Sequence, residues 1–243
     1  MGGRVARHGG RVRLLWPRHP VHGLGGSRAR RRQADRGPLL SGTSQSPARR
    51  SAKTAGGTMS DHSVAIVTDS TADLPPDLTR SRSIVVVPLT LHFEGKSLLD
   101  GIEITPGEFY RSLPSATTHP TTSQPSAGRF AETYAELLKE HEAVVSIHIS
   151  EKLSGTYESA RQGADLTDPK RVHVIDSQVV SMSVGLVTLA ASQLASQGAD
   201  ARSIANQVLS MRDLVQTYFS VATLEFLRRG GRIGRANALL GSV

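Results

Sequence analysis

Cysteine is absent from this 243-residue chain, which excludes disulfides and thiolate metal sites and makes a reducing cytosol the default compartment. Other absences narrow the chemistry. There is no HExxH and no carboxylate–histidine cluster at ligand spacing, so no metal centre is expected. No GxGxxG follows a strand-like run and no GxxxxGK(S/T) loop occurs, which leaves dinucleotides and ATP without a cradle and implies no cofactor. The GxSxG elbow of serine hydrolases is missing too. The longest apolar stretch, "VVSMSVGLVTLAASQLA", is interrupted by Ser and Gln and falls short of the roughly 20 apolar residues of a membrane span. It reads as a buried helix, with no transmembrane insertion.

Charge is spread unevenly. Residues 1–58 carry twelve Arg and one Lys against Asp35, a net of +12, whereas residues 59–243 carry sixteen basic and twenty acidic residues, a net of −4. The overall +8 therefore belongs to the leader. A basic chain suggests nucleic acid or membrane, but the part able to fold is mildly acidic, so no specific nucleic acid is expected. The leader offers only "LLWP" as an apolar segment, too short for a secretory signal. It reads as a basic disordered tail over 1–58, with Met59 as a credible initiator. Residues 59–199 then form an α/β domain and residues 200–243 open a second.

Along the chain, 64–67 is a β-branched strand running into "TDSTADLPPDL", whose Asp, Ser and paired Pro read as a loop. Residues 84–93 form a second extended segment interrupted by Pro88, and "EGKSLLDGIEI" follows as a hairpin-like excursion. Thr105-Pro106-Gly107-Glu108 has the spacing of a capping box with Pro at the first helical position, opening a helix to Leu113. After a hydroxyl-rich loop, 126–140 reads as an amphipathic helix with Phe130, Tyr134, Leu137 and Leu138 on one face. "AVVSIHIS" and "RVHVIDS" are strands, the second followed by a long apolar helix over 178–197 that Gly198 ends. Strands alternating with such helices predict βαβ units and a mostly parallel sheet flanked by helices. From Asp200 a helix to Met211 precedes "LVQTYFSVA", which alternates like a strand. "TLEFLRRGGRI" gives a short helix stopped by paired glycines, and 236–240 looks like the opening of another.

Ligands of α/β sheets gather at strand-end loops, and three such loops hold unusual residues. The first is Asp69-Ser70-Thr71-Ala72-Asp73. Asx-turns and a cap account for it, although Asp69 is also a candidate nucleophile. The second, "TTHPTTSQPSAGRF", has six hydroxyls in fourteen residues before a helix, where free N–H groups and the positive helix end converge. Ser123 or Ser126 is placed to cap the helix, while Thr122, one step outside, can turn towards a guest. The third is Leu153-Ser154-Gly155-Thr156, where Gly155 permits close backbone approach and Ser154 stands at the mouth of a helix. His148 and His173 lie within strands and read as structural or surface histidines. His119 lies in the loop before the hydroxyl cluster. "RRGGRIGR", residues 228–235, is a compact basic patch, either solvated surface or a dock for an anionic partner. Neutral donors and helix ends suit a carboxylate that is held and left unreacted. The runner-up is a phosphotransferase or hydrolase using Asp69 or Ser154.

"VTDSTADLP", "TTSQPS", "ISEKLSGTYESA", "VIDS" and "LEFLRRGGRIGR", in that order from about Val64 to the end, resemble the DegV family of bacterial fatty-acid-binding proteins. The resemblance implies a two-domain α/β protein, not an enzyme, with a long-chain fatty acid such as palmitate buried between the domains. Thr122 and Ser154 match the family's carboxylate-binding residues. In some members a separate ATP-dependent fatty acid kinase phosphorylates the bound acid, which makes this chain similar to the carrier subunit, cytoplasmic and active in lipid metabolism. Arg228, Arg229 and Arg232 are then candidates for partner or phosphate contact. The family continues with a portion that completes the second domain and carries a His near the headgroup. Here the chain stops at "ALLGSV", so residues 200–243 are expected to be a truncated second domain.

Overall fold

The computed structural model describes residues 64–221, 223–232 and 234; the basic leader, Met59 and the helix expected over 236–240 lie outside them. The β-branched run at the start of the described chain forms β1, Val64–Asp69, buried along its whole length. The segment after it is more than the expected loop. Asp69 caps a single 3-10 turn, and paired prolines at Pro75 and Pro76 start a helix, α1, Pro76–Ser81, which tolerates Pro because its first N–H groups have no helical acceptor.

The extended run over 84–93 is two strands in two different sheets, β2, Ile84–Val87, and β3, Thr90–Phe93. Pro88 has no N–H for a ladder, and the next amide, Leu89, leaves the sheet to donate to Ser70 Oγ at 3.1 Å. β3 turns through Glu94 and Gly95, both at positive φ, into β4, Lys96–Leu99, a two-residue hairpin. The expected capping box is present at α2, Pro106–Ser112, with Thr105 and Glu108 each satisfying the other's backbone N–H.

Residues Thr121–Ser123, read from sequence as loop, form a short strand, β5, that pairs with β3. Ser126 then caps α3, Ala127–Leu137, accepting from the Arg129 amide at 3.1 Å. β6, Ala143–His148, α4, Thr156–Thr167, and β7, Val172–Asp176, follow as expected. The long apolar helix starts later than expected, as α5, Met182–Ser196, because Gln178 and Ser181 both adopt positive φ. α6, Ala201–Arg212, is capped by Asp200. Residues 214–221, which alternate like a strand, contain none. Leu214 and Val215 fold back on Met211, and Thr217 bonds Ser183 at 2.8 Å. The chain then enters α7, Glu225–Arg229, followed by Gly230 and Gly231.

The main sheet is wholly parallel, in the order β2-β1-β6-β7. Strand alternation assigns its faces. Val64 and Ile66 of β1 and Val145 and Ile147 of β6 pack against α5 and α6 through Val184, Val187, Ala191, Ile204 and Val208. Ala65, Val67 and Val144 face the other way, onto Phe130 and Tyr134 of α3 and Ala160 and Ala164 of α4. The two helices on this side approach closely because position 163 is glycine. A Cβ there would lie 2.5 Å from Phe130 Cβ and 2.9 Å from the Ala127 carbonyl oxygen. Arg171 fastens the end of α3, its guanidinium donating to the carbonyls of Leu138, His141 and Glu142. The antiparallel sheet, β4-β3-β5, has its own small core of Leu91, Phe93 and Ile104, against which Phe109 of α2 packs edge-on.

Candidate functional site

In this sheet order the chain leaves β1 and β6 at the point where connections diverge to opposite sides, the position at which open α/β sheets take ligands. Asp69 ends β1 and His148 ends β6, and the two meet there, both fully buried. Asp69 Oδ1 accepts from the Thr71 amide at 3.0 Å and the Thr71 hydroxyl at 2.5 Å. Its Oδ2 accepts from His148 Nδ1–H at 2.9 Å and the Ile149 amide at 3.2 Å. On the other side of the ring, His148 Nε2 lies 2.7 Å from Ser146 Oγ, which accepts from the Tyr134 hydroxyl at 2.8 Å. With the ring neutral, one directed chain satisfies every member. Tyr134 donates to Ser146, Ser146 to Nε2, and Nδ1–H to the carboxylate.

The environment acts on these groups in opposite directions. Burial pushes the Asp69 carboxyl up, but the hydrogen bond and attraction of His148, with the bonds from Thr71 and Ile149, outweigh it and hold the group below its ordinary 3.8. Burial pushes the Tyr134 phenol far above its usual range, against the lowering effect of Ser146.

The order Asp69–His148–Ser146 has the connectivity of an acyl-transfer relay, yet its serine is sealed beneath Tyr134 where no substrate reaches. Asp69, with four donors on its two oxygens and no exposed surface, is equally unsuited to nucleophilic attack. Of the two sequence readings of His148, structural or surface, burial selects the structural one and makes it one link of a buried polar chain. Sequence reasoning missed that chain because Asp69 and His148 are 79 residues apart. The only local signal is a Ser and a His at i and i+2 in an otherwise apolar strand, which puts both on one face.

Thr122 lies in β5 opposite Leu91 and is exposed. It is thus on a sheet edge rather than at the open turn of α3, which Ser126 caps. Ser123 bonds His92 Nε2 at 3.0 Å instead of capping. Ser154 stands before α4 with its hydroxyl 2.8 Å from Thr156 Oγ1 and 3.3 Å from the Thr156 amide. The two hydroxyl loops adjoin. The Gln124 carboxamide lies so close over Gly155 that a Cβ there would sit 2.5 Å from Gln124 Nε2.

The basic segment reaches both loops. Arg232 Nε donates to the Leu153 carbonyl at 3.4 Å, and Phe226 stacks on His119 with ring centres 5.9 Å apart. Arg229 pairs with Glu225 in its own helix, and Arg228 is exposed. Two cavities lie elsewhere. One of about 290 Å³ sits at the opposite end of the parallel sheet, around Val64, Ile84 and Arg82. A polar one of about 300 Å³ lies beside the hairpin, between His92 and His119. Neither is lined by Thr122 or Ser154. Among the described residues no three His, Asp or Glu side chains gather as metal ligands, and no helix is long and apolar enough to cross a membrane.

Chemically, the adjoining loops present neutral hydroxyls, the amide end of α4 and the Arg232 guanidinium on the Leu153 carbonyl, donors of the kind that suit an anion. The chain belongs to the DegV family, whose sequence model, described as "Uncharacterised protein, DegV family", matches residues 63–243. It is 38% identical over 180 residues to a DegV domain-containing protein of Caldanaerobacter subterraneus subsp. tengcongensis, covering 74% of this chain and 64% of that protein. Among solved structures, it is similar to a DegV family protein from Thermus thermophilus described for fatty acid binding. That match has 44% identity and a TM-score of 0.66, and covers 74% of this chain and 64% of that one. It is also similar to DegV of Bacillus subtilis, described as a fatty acid binding protein, with 34% identity, a TM-score of 0.68 and coverage of 75% and 65%. The chain thus spans somewhat less than two thirds of the length of these relatives.

Proposed function

We propose that this chain is a carrier that binds a long-chain fatty acid such as palmitate, without catalysis of its own, and holds its carboxylate between the Thr122 and Ser154 hydroxyls. The observation that carries the reading is the contact of Gln124 with Gly155, which joins the two hydroxyl loops beside the β1–β6 divergence. The fatty-acid-binding relatives from Thermus and Bacillus support the ligand class. Hydrogen bonds to the charged headgroup are worth roughly 1.5–3 kcal/mol each, and each buried methylene adds about 0.8 kcal/mol. The tail therefore supplies most of the affinity, and the hydroxyls set its orientation. In the same reading, the carrier presents the carboxylate to an ATP-dependent fatty acid kinase, with Arg228, Arg229 and Arg232 as the docking or phosphate contacts.

Native mass spectrometry of the purified chain tests the ligand. A co-purifying mass equal to a fatty acid is expected, and a markedly lower occupancy in Thr122→Ala/Ser154→Ala with an unchanged circular dichroism spectrum. Full retention of the acyl mass in that double variant refutes the site.

A further inference from the structure

We infer that Asp69 is a positioning residue for the headgroup loop, an inference that rests on the fatty-acid reading above. Its carboxylate stands where β1 and β6 part. Through Thr71 it fixes the exit of β1, and through His148 and the Ile149 amide it fixes the exit of β6. Ile149 opens the turn that carries Ser154. The Ser150 amide donates to Val179, and the Leu153 and Ser154 amides both donate to the Ser150 carbonyl. Ser154 therefore hangs from a turn whose first amide Asp69 holds.

The anchor itself is immobilised. His148 is engaged at both nitrogens, and its ring packs edge-on against Phe130 with centres 5.0 Å apart. Pairing of β1 with β6 from Val64 to Thr68 is complete without the Asp69 side chain. What that side chain adds is a fixed relation between the two exits. Being fully buried, Asp69 acts on a ligand only through the loop it holds.

A carboxylate is required because all four partners are donors. An Asn of the same size turns its NH₂ towards either Thr71 or the His148–Ile149 pair, and one exit then faces donor against donor.

Hydrogen exchange on ligand-free Asp69→Asn tests the anchoring. Amides of residues 149–156 should exchange about tenfold faster than in the unaltered chain, with 182–196 unchanged. Binding of the fluorescent fatty acid cis-parinaric acid tests the consequence. Asp69→Asn should weaken it about tenfold. In a Ser154→Ala background the same change should add less than about twofold, because both act through one hydroxyl. Equal losses in both backgrounds, or unaltered exchange at 149–156, overturn the inference. If the unaltered chain fails to bind the probe while Asp69→Asn still loosens 149–156, the fatty-acid reading falls and the anchoring role stands. Should Asp69→Asn not fold, Thr71→Val removes only the hydroxyl bond to Oδ1. It should speed exchange at Ile149 about threefold, and no change there refutes the proposal.

Discussion

Ser146→Ala probes the buried chain most sharply, because it strands two groups at once. Tyr134, Ser146 and His148 are all fully inaccessible to solvent, so neither the Tyr134 hydroxyl nor His148 Nε2 can turn to water for a replacement. A stranded buried polar group costs about 1–3 kcal/mol, so the substitution should destabilise by about 3 kcal/mol. Tyr134→Phe removes the same hydrogen bond from its other end but strands nothing, since Ser146 keeps His148 as partner; about 1 kcal/mol is expected. The double variant should therefore be more stable than Ser146→Ala alone by about 1 kcal/mol, because the phenol that lost its acceptor is gone. Urea unfolding of the four proteins, fitted with a common m-value, measures the cycle. If adding Tyr134→Phe to Ser146→Ala lowers the midpoint further, the directed chain is not what satisfies these groups.

The other predictions concern pH and two glycines. Asp69 titrates lower in the folded chain than its ordinary 3.8, so its stabilisation is fully present above that value and is lost as pH falls through the folded pKa. Acid titration followed by circular dichroism should show this loss in the unaltered chain and a flatter profile in Asp69→Asn; superimposable profiles count against the coupling. Gly163→Ala drives a methyl to 2.9 Å from a backbone carbonyl oxygen and should cost about 1–3 kcal/mol in urea. Gly155→Ala meets only the flexible end of Gln124 and should leave stability within about 0.5 kcal/mol while weakening cis-parinaric acid binding. The reverse ranking in urea refutes the packing argument.

The parts of the fold legible in the sequence are those whose causes are local. The Thr105–Glu108 capping box, the apolar face with Phe130 and Tyr134, and the mainly apolar strands each contain their own explanation within a few residues. What escaped depends on distant partners. Nothing in "TTS" reads as a strand, because β5 exists only by pairing with β3 about thirty residues earlier. Conversely, "LVQTYFSVA" has the right alternation, but among the described residues it lies along no sheet edge, and its first residues complete the end of α6 instead. Pro88 was visible as an interruption, yet its effect, moving the chain from one sheet to another, requires knowing where Ser70 sits. The hydroxyl-rich loops were found from composition. Asp69 reads in sequence as a turn former or a nucleophile; its buried bond to a His 79 residues away has no local signal.

The route from Leu89 to Ser126 has a consequence for how such a protein can change. It departs after the edge strand β2, builds an outlying hairpin and returns before α3, while β2 and β6, the strands on either side of the gap, keep their own register against β1. Thr122 therefore rides on an appendage and Ser154 on the frame. Insertions, deletions or wholesale exchange of the appendage can then remodel one half of the proposed site and leave the other in place, without refolding the parallel sheet.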